Sequence, residues 1–191
     1  FLKKYNNDNS NKKRTIRLWL HTDLIDGYYK LEKLVNDKCN ELELSTNSFI
    51  LTKQMIDYDD TIMNLIYNSC DAGVNTSYGE GWGLISSEMA MCMKPQIVIN
   101  FGASKELFGD GRGFLIDASN VSLNGKFFTG KVDAIGGEIK MEDYIKCLFE
   151  IIQCEQSKLD SITKKAYHYF KDFTWEKVSE LFYQKVLCSN S

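Results

Sequence analysis

Residues 72–100 constrain this chain more than any other stretch. A short run (Ala72, Gly73, Val74, Asn75, Thr76) leads into a loop with glycine at 79, 81 and 83. A helical pattern follows, then Pro95 and an apolar run over residues 96–100, with Ile97, Val98 and Ile99 at its centre. A strand without polar alternation must be covered on both faces, as in parallel sheets flanked by helices. Joining two parallel strands requires a crossover, which the helix between them supplies.

The same alternation runs through the rest of the chain. Residues 15–21 are rich in strand formers and residues 49–51 are a short apolar run, so both are expected strands. Between them, Tyr28, Leu31, Leu34 and Val35 predict a helix over residues 27–39. Asp59, Asp60 and Thr61 offer cap chemistry to a helix carrying Ile62, Leu65 and Ile66. The helix over 84–93 should turn Ile85, Met89 and Cys92 to the core. A short helix over 104–108, a turn at 110–113 that Arg112 serves, and a strand over 114–116 complete the pattern.

Residues 117–140 read as irregular, with Asn124-Gly125 and Gly136-Gly137 as turn signals. Residues 141–187 predict two or three amphipathic helices broken near Phe173-Thr174, with Tyr144, Phe149, Phe170, Trp175 and Phe182 as core. The expected class is α/β, a Rossmann-like doubly wound parallel sheet over residues 1–140. Residues 141–191 are expected to form a helical extension on the same domain.

Composition removes several alternatives. At 191 residues and 43% hydrophobic content, the chain can bury one substantial core. A net charge of -3 speaks against a nucleic-acid partner. No apolar run approaches the ~20 residues of a membrane span. The six cysteines form no CxxC pair and no Cys/His cluster, which argues against zinc. Buried thiols in a reducing, cytoplasmic compartment are the expectation. Residues 1–5 read as the last turn of a helix without its beginning, so a longer polypeptide is expected.

Ligands of open parallel sheets bind beyond the carboxyl ends of strands, where a strand passes into a helix. Residues 75–88 have that design. The glycines admit close backbone approach. The amides of Gly83, Leu84 and Ile85, unpaired in a first helical turn, suit a diphosphate. A carboxylate beside an anion site makes sense when it accepts hydrogen bonds from vicinal hydroxyls, such as those of sugars and riboses. Glu80 and Glu88, with seven residues between them around Gly81-Trp82-Gly83, are far more specific than the glycines alone. His21 follows the end of a strand, where ligand loops begin.

The string Glu80-Gly-Trp-Gly-Leu-Ile-Ser-Ser-Glu-Met-Ala-Met-Cys-Met-Lys-Pro95 resembles the signature of the retaining family-4 glycosyltransferases. The resemblance continues through Ile97-Val98-Ile99 and through Gly102-Ala-Ser-Lys-Glu106, which is similar to that family's G-G-x-x-E element. Residues 133–137 and 173–176 look most like enzymes of large DNA viruses.

The resemblance implies the C-terminal, donor-binding domain of a two-domain GT-B enzyme. It implies that Glu80 is the catalytic residue and contacts the transferred sugar. Gly81, Trp82, Gly83, Leu84 and Glu106 would surround donor sugar and diphosphate, and Glu88 would bind the ribose. Leu51, Thr52, Lys53 and Gln54 would border the base, with His21 and Lys105 as further candidates. The implied substrate is a nucleotide-diphosphate sugar, UDP- or GDP-linked, with no cofactor and no metal. The acceptor, a glycan or another molecule, would be held by an N-terminal domain outside residues 1–191. The alternatives are a non-catalytic nucleotide-sugar-binding module, or another GT-B enzyme such as a sugar-nucleotide epimerase.

Overall fold

The computed structural model describes residues 1–7, 15–26, 29–52, 58–123 and 134–187. The chain divides into two compact units, Phe1–Asp59 and Asp60–Ser191.

The first unit holds α1 (Leu2–Asn7), β1 (Leu18–Leu20), β2 (Ile25–Asp26), β3 (Tyr29–Lys30), α2 (Leu31–Leu42) and β4 (Phe49–Leu51). β1 and β4 pair in parallel, Leu18 opposite Phe49 and Leu20 opposite Leu51, with α2 as the connection between them. The expected start of that helix at residue 27 is corrected to Leu31. β2 and β3 pair antiparallel, Ile25 with Lys30, and Lys30 keeps extended backbone as the residue before the helix. Backbone committed to that ladder cannot also enter the first helical turn. Val35 and Cys39 form the buried face of α2.

The second unit runs α3 (Asp60–Ser69), β5 (Gly73–Asn75), α4 (Leu84–Met91), β6 (Gln96–Ile99), α5 (Gly102–Phe108) and β7 (Phe114–Ile116). A hairpin follows, β8 (Ala118–Ser122) and β9 (Ile135–Ile139), then α6 (Met141–Gln153), α7 (Gln156–Phe170) and α8 (Trp175–Phe182). β5, β6 and β7 form a parallel sheet with β6 in the middle. Successive residues of a strand face opposite sides. Val98 accordingly packs with Ala90, Leu107, Phe108, Ala166 and Phe170, whereas Ile97 packs with Phe114, Ile116, Cys147, Ile151 and Ile162. All four residues of β6 are buried, which is why its sequence lacks polar alternation.

Four sequence expectations change here. Residues 118–122 and 135–139 are not irregular: they form an antiparallel ladder from Ala118–Ile139 to Ser122–Ile135. Glycines in a strand weaken the local signal, and Gly136-Gly137 lie within β9 rather than at a turn. In α4, Ile85 is 65% exposed, and the buried face is Ser86, Ser87, Met89 and Ala90. Small side chains let α4 close against α7 where a branched residue would hold it off. In α3, Ile62 and Leu65 are exposed and Tyr67 is the buried residue. Finally, Trp175 and Phe182 are 86% and 58% exposed, so the apolar face of α8 is not core. The break before it is as expected, with the Thr174 hydroxyl accepting from the Lys177 amide as an N-cap.

Candidate functional site

The loop between β5 and α4 is organised from its first residue. Asn75, the last residue of β5, accepts a hydrogen bond from the Ser77 amide at 2.9 Å through its side-chain oxygen. Its side-chain amide donates to Glu80 Oε1 at 2.9 Å, and the Ser77 hydroxyl donates to the same oxygen at 3.0 Å. Among the described residues nothing donates to Glu80 Oε2. The carboxylate is therefore held by one oxygen with the other left for a ligand, and a sugar hydroxyl is the kind of donor it would accept.

Gly83 has φ +79°, a left-handed conformation that favours glycine. A Cβ at Gly83 would sit 3.7 Å from Glu80 Cγ, so the glutamate's stem lies over the start of α4. Gly83 offers no side-chain cap, and the amides of Gly83, Leu84 and Ile85 meet no acceptor among the described residues. The side chains of Leu84 and Ile85 are exposed at this end. Open donors at the positive end of a helix dipole are the physical basis of anion binding.

Glu88 lies one turn further along α4, exposed, and Tyr67 Oη donates to its Oε2 at 2.7 Å. Burial first, then the hydrogen bond and charge of Glu88, push the Tyr67 hydroxyl well above its usual range. Tyr67 is thus a permanent donor that fixes one Glu88 oxygen. The Cys92 thiol is also pushed up, mainly by burial, which disfavours its thiolate.

The other predicted residues fall in different settings. Trp82 is half buried against the core cluster of Val98 and Phe108, its ring 5.0 Å from that of Phe173. Gly81 is exposed, with nothing within 4 Å of a Cβ placed on it. Lys105 and Glu106 are exposed on α5. Gly102, which opens α5, has φ +54°, and a Cβ there would lie 3.7 Å from the Glu80 carbonyl oxygen. The element around Gly102 thus abuts the loop of Glu80. Arg112 serves its turn as expected, donating to the carbonyls of Glu106 and Leu107 and lying 4.2 Å above the Tyr169 ring.

In the first unit, Trp19 Nε1 donates to Thr52 Oγ1 at 3.2 Å and His21 Nδ1 lies 2.9 Å from the same hydroxyl. The His21 ring stacks on Tyr58 at 5.8 Å. Thr52 and His21 are thereby brought together at the carboxyl ends of β1 and β4, with Leu51 the last residue of β4. Lys53 and Gln54 lie outside the described residues.

Sequence reasoning missed Asn75, Ser77 and Tyr67. The first two carry a signal, since Asn and Ser spaced by one residue at a strand end favour a side-chain-closed turn. Tyr67 has no local signal, because its partner is 21 residues away. A shallow depression between Arg112, Lys164, Lys165 and His168 shares no residue with the loop, and Arg112 is already committed to its own contacts there. Among the described residues, no group of three or more His, Cys, Asp or Glu could hold a metal ion, and no helix is long and apolar enough to cross a membrane.

No family model matches the sequence, and neither does any curated protein. Solved structures do match. The N-terminal domain of trehalose-6-phosphate phosphatase from Candida albicans is similar over 100% of this chain, with a TM-score of 0.68 at 12% identity. A chain of the GtfA/B complex is similar over 89%, with a TM-score of 0.54 at 13% identity. The chain spans 38% and 35% of those two proteins. At such identities the likeness concerns the fold: a mixed α/β, Rossmann-like architecture with parallel sheets, of the GT-B-like kind.

Proposed function

We propose that this chain binds a nucleotide-diphosphate sugar for retaining transfer of the sugar to an acceptor held elsewhere, as the donor-binding domain of a family-4-type glycosyltransferase. The observation that carries this reading is Glu80, whose Oε1 is fixed by Asn75 and Ser77 while Oε2 is open, beside the uncapped start of α4. Glu80 receives the sugar hydroxyls, the amides of Gly83 and Leu84 hold the diphosphate, and Glu88, steadied by Tyr67, takes the ribose hydroxyls. Glu106 stands near the sugar on α5. Transfer needs no metal in this scheme, because the leaving diphosphate is neutralised by helix amides and cationic side chains.

A second reading is a nucleotide-sugar-binding module without transfer activity, since the same open carboxylate and helix start would bind a donor in either case. Calorimetric titration with UDP-, GDP- and ADP-sugars tests the common part of both, and a UDP- or GDP-sugar should bind. Release of free nucleoside diphosphate from the bound donor by the complete polypeptide separates the enzyme from the module.

A further inference from the structure

We infer that the β8–β9 hairpin is a clamp that positions Glu80, with Gly137 and Phe101 as its positioning residues; this rests on the donor-binding reading above.

The Gly137 amide donates to the Tyr78 carbonyl at 2.6 Å, a contact between β9 and the glycine-rich loop two residues before Glu80. Gly136 and Gly137 are both buried, and neither has room for a side chain. A Cβ on Gly136 would stand 2.8 Å from Leu123 Cδ2, 3.0 Å from the Tyr78 carbonyl oxygen and 3.1 Å from Tyr78 Cβ. A Cβ on Gly137 would stand 2.7 Å from Phe101 Cβ and 2.8 Å from Phe101 Cγ. The glycine pair is therefore a flat seat pressed against Tyr78 on one side and Phe101 on the other.

Phe101 links the two. Its ring edge lies 4.0 Å from a Cβ placed on Gly79, so the ring stands between the loop and the hairpin. The next residue, Gly102, abuts the Glu80 carbonyl. Three segments, residues 78–80, 101–102 and 136–137, are thus stacked with glycine at each point of closest approach.

Glycine-rich backbone is costly to order, and Gly79 and Gly81 are themselves exposed. The hairpin buries its glycines against the loop, while Ser119, Asn120, Ser122 and Ile135 remain exposed. The hairpin thus packs on the segment that carries Glu80, while its Ile139 packs on the cluster of Ile97 and Phe114. Glu88 stands apart from it, on α4 and held by Tyr67. A loosened clamp should displace the sugar contact and leave the ribose contact in place, and displacements of about 1 Å are enough to cost affinity and rate.

The test uses the full chain and the variants Gly137→Ala and Asn120→Ala, the latter on the facing strand opposite Gly137. Hydrogen exchange of the two hydrogen-bonded amides at this contact, that of Ser77 on Asn75 and that of residue 137 on Tyr78, is read without ligand. Binding of UDP, UDP-glucose, GDP and GDP-mannose is read by titration. In Gly137→Ala both amides should exchange at least about tenfold faster, and the preference for the sugar nucleotide over its free diphosphate should fall about tenfold, with diphosphate affinity kept. Asn120→Ala should change neither. Wild-type exchange of both amides in Gly137→Ala, or equal losses for sugar nucleotide and diphosphate, overturns the clamp. Should Gly137→Ala fail to fold, native-state exchange of the wild type decides: the amides of Ser77 and Gly137 must open together, and independent opening overturns it. If no sugar nucleotide binds the wild type, the donor-binding reading falls, while exchange still decides whether the hairpin orders the loop.

Discussion

Tyr67 and Glu88 are joined by a 2.7 Å hydrogen bond from a buried hydroxyl to an exposed helical carboxylate. Among the described residues nothing donates to Glu88 Oε1, and the bond orients the group before any ligand arrives. Glu88→Ala removes every acceptor, and Glu88→Gln keeps one oxygen. A charge-assisted hydrogen bond is worth ~1.5–3 kcal/mol, so Glu88→Ala should weaken nucleotide binding by roughly tenfold to a hundredfold, and more than Glu88→Gln does. Tyr67→Phe should weaken it less than Glu88→Ala, because it loosens the carboxylate without deleting it. Titration calorimetry of the three variants checks this order.

Burial also sets an alkaline limit on stability. The Cys147 thiol is pushed from 9.0 up to about 11 by burial first and by Glu150 second. The Tyr67 hydroxyl is pushed upward from 10.0, again by burial first. In both cases the folded state holds the proton more tightly than the unfolded state. Their contribution is therefore intact below the unfolded values and is lost as pH rises through 9.0 and then 10.0 towards the folded values. Urea unfolding across that range should show falling stability, and Cys147→Ala should flatten the first part of the fall. A wild-type profile that stays level would contradict the assignment.

Gly83 constrains any attempt to block the helix terminus. Space for a methyl group exists there, but φ +79° is strained for any L side chain. Gly83→Ala should cost ~1–2 kcal/mol of stability from the left-handed backbone alone. Gly83→Val should cost more, because β-branched residues are rarer still in that region. Both should reduce diphosphate binding. Measuring unfolding beside binding separates strain from ligand loss.

The exposed face of α8 and the buried end of α7 should respond oppositely to truncation. Phe170 is 4% exposed and packs on Phe108 at 5.2 Å, so Phe170→Ala should cost ~3–5 kcal/mol. Trp175→Ser should change the stability of this chain by less than ~0.5 kcal/mol. Denaturant midpoints with unchanged slopes would settle both values.

Much of this was legible in the residues. The buried β6 announced a parallel sheet through its uninterrupted Ile97-Val98-Ile99, and β7 matches its expected bounds. The loop of Glu80 stood out because glycines and carboxylates recur there at short spacing. The hairpin did not, since Gly136 and Gly137 break the strand pattern locally and make sense only against Tyr78 and Phe101, far away in sequence. Amphipathicity gave the existence of α8 but not whether its apolar face is covered, which periodicity does not encode. Ile85 shows the same limit: its spacing fitted a core face, but packing of α4 on α7 favoured Ser86 and Ala90.

The central claim is that Glu80 reads the sugar of a bound nucleotide sugar, and paired titrations of UDP with UDP-glucose and GDP with GDP-mannose test it most directly. Wild type should prefer the sugar nucleotide in at least one pair. Glu80→Ala should lose that preference by roughly tenfold to a hundredfold while keeping its affinity for the free diphosphate, as expected for lost charge-assisted hydrogen bonds to sugar hydroxyls. A wild type that binds neither sugar nucleotide, or a Glu80→Ala chain that keeps the full preference, would contradict the account.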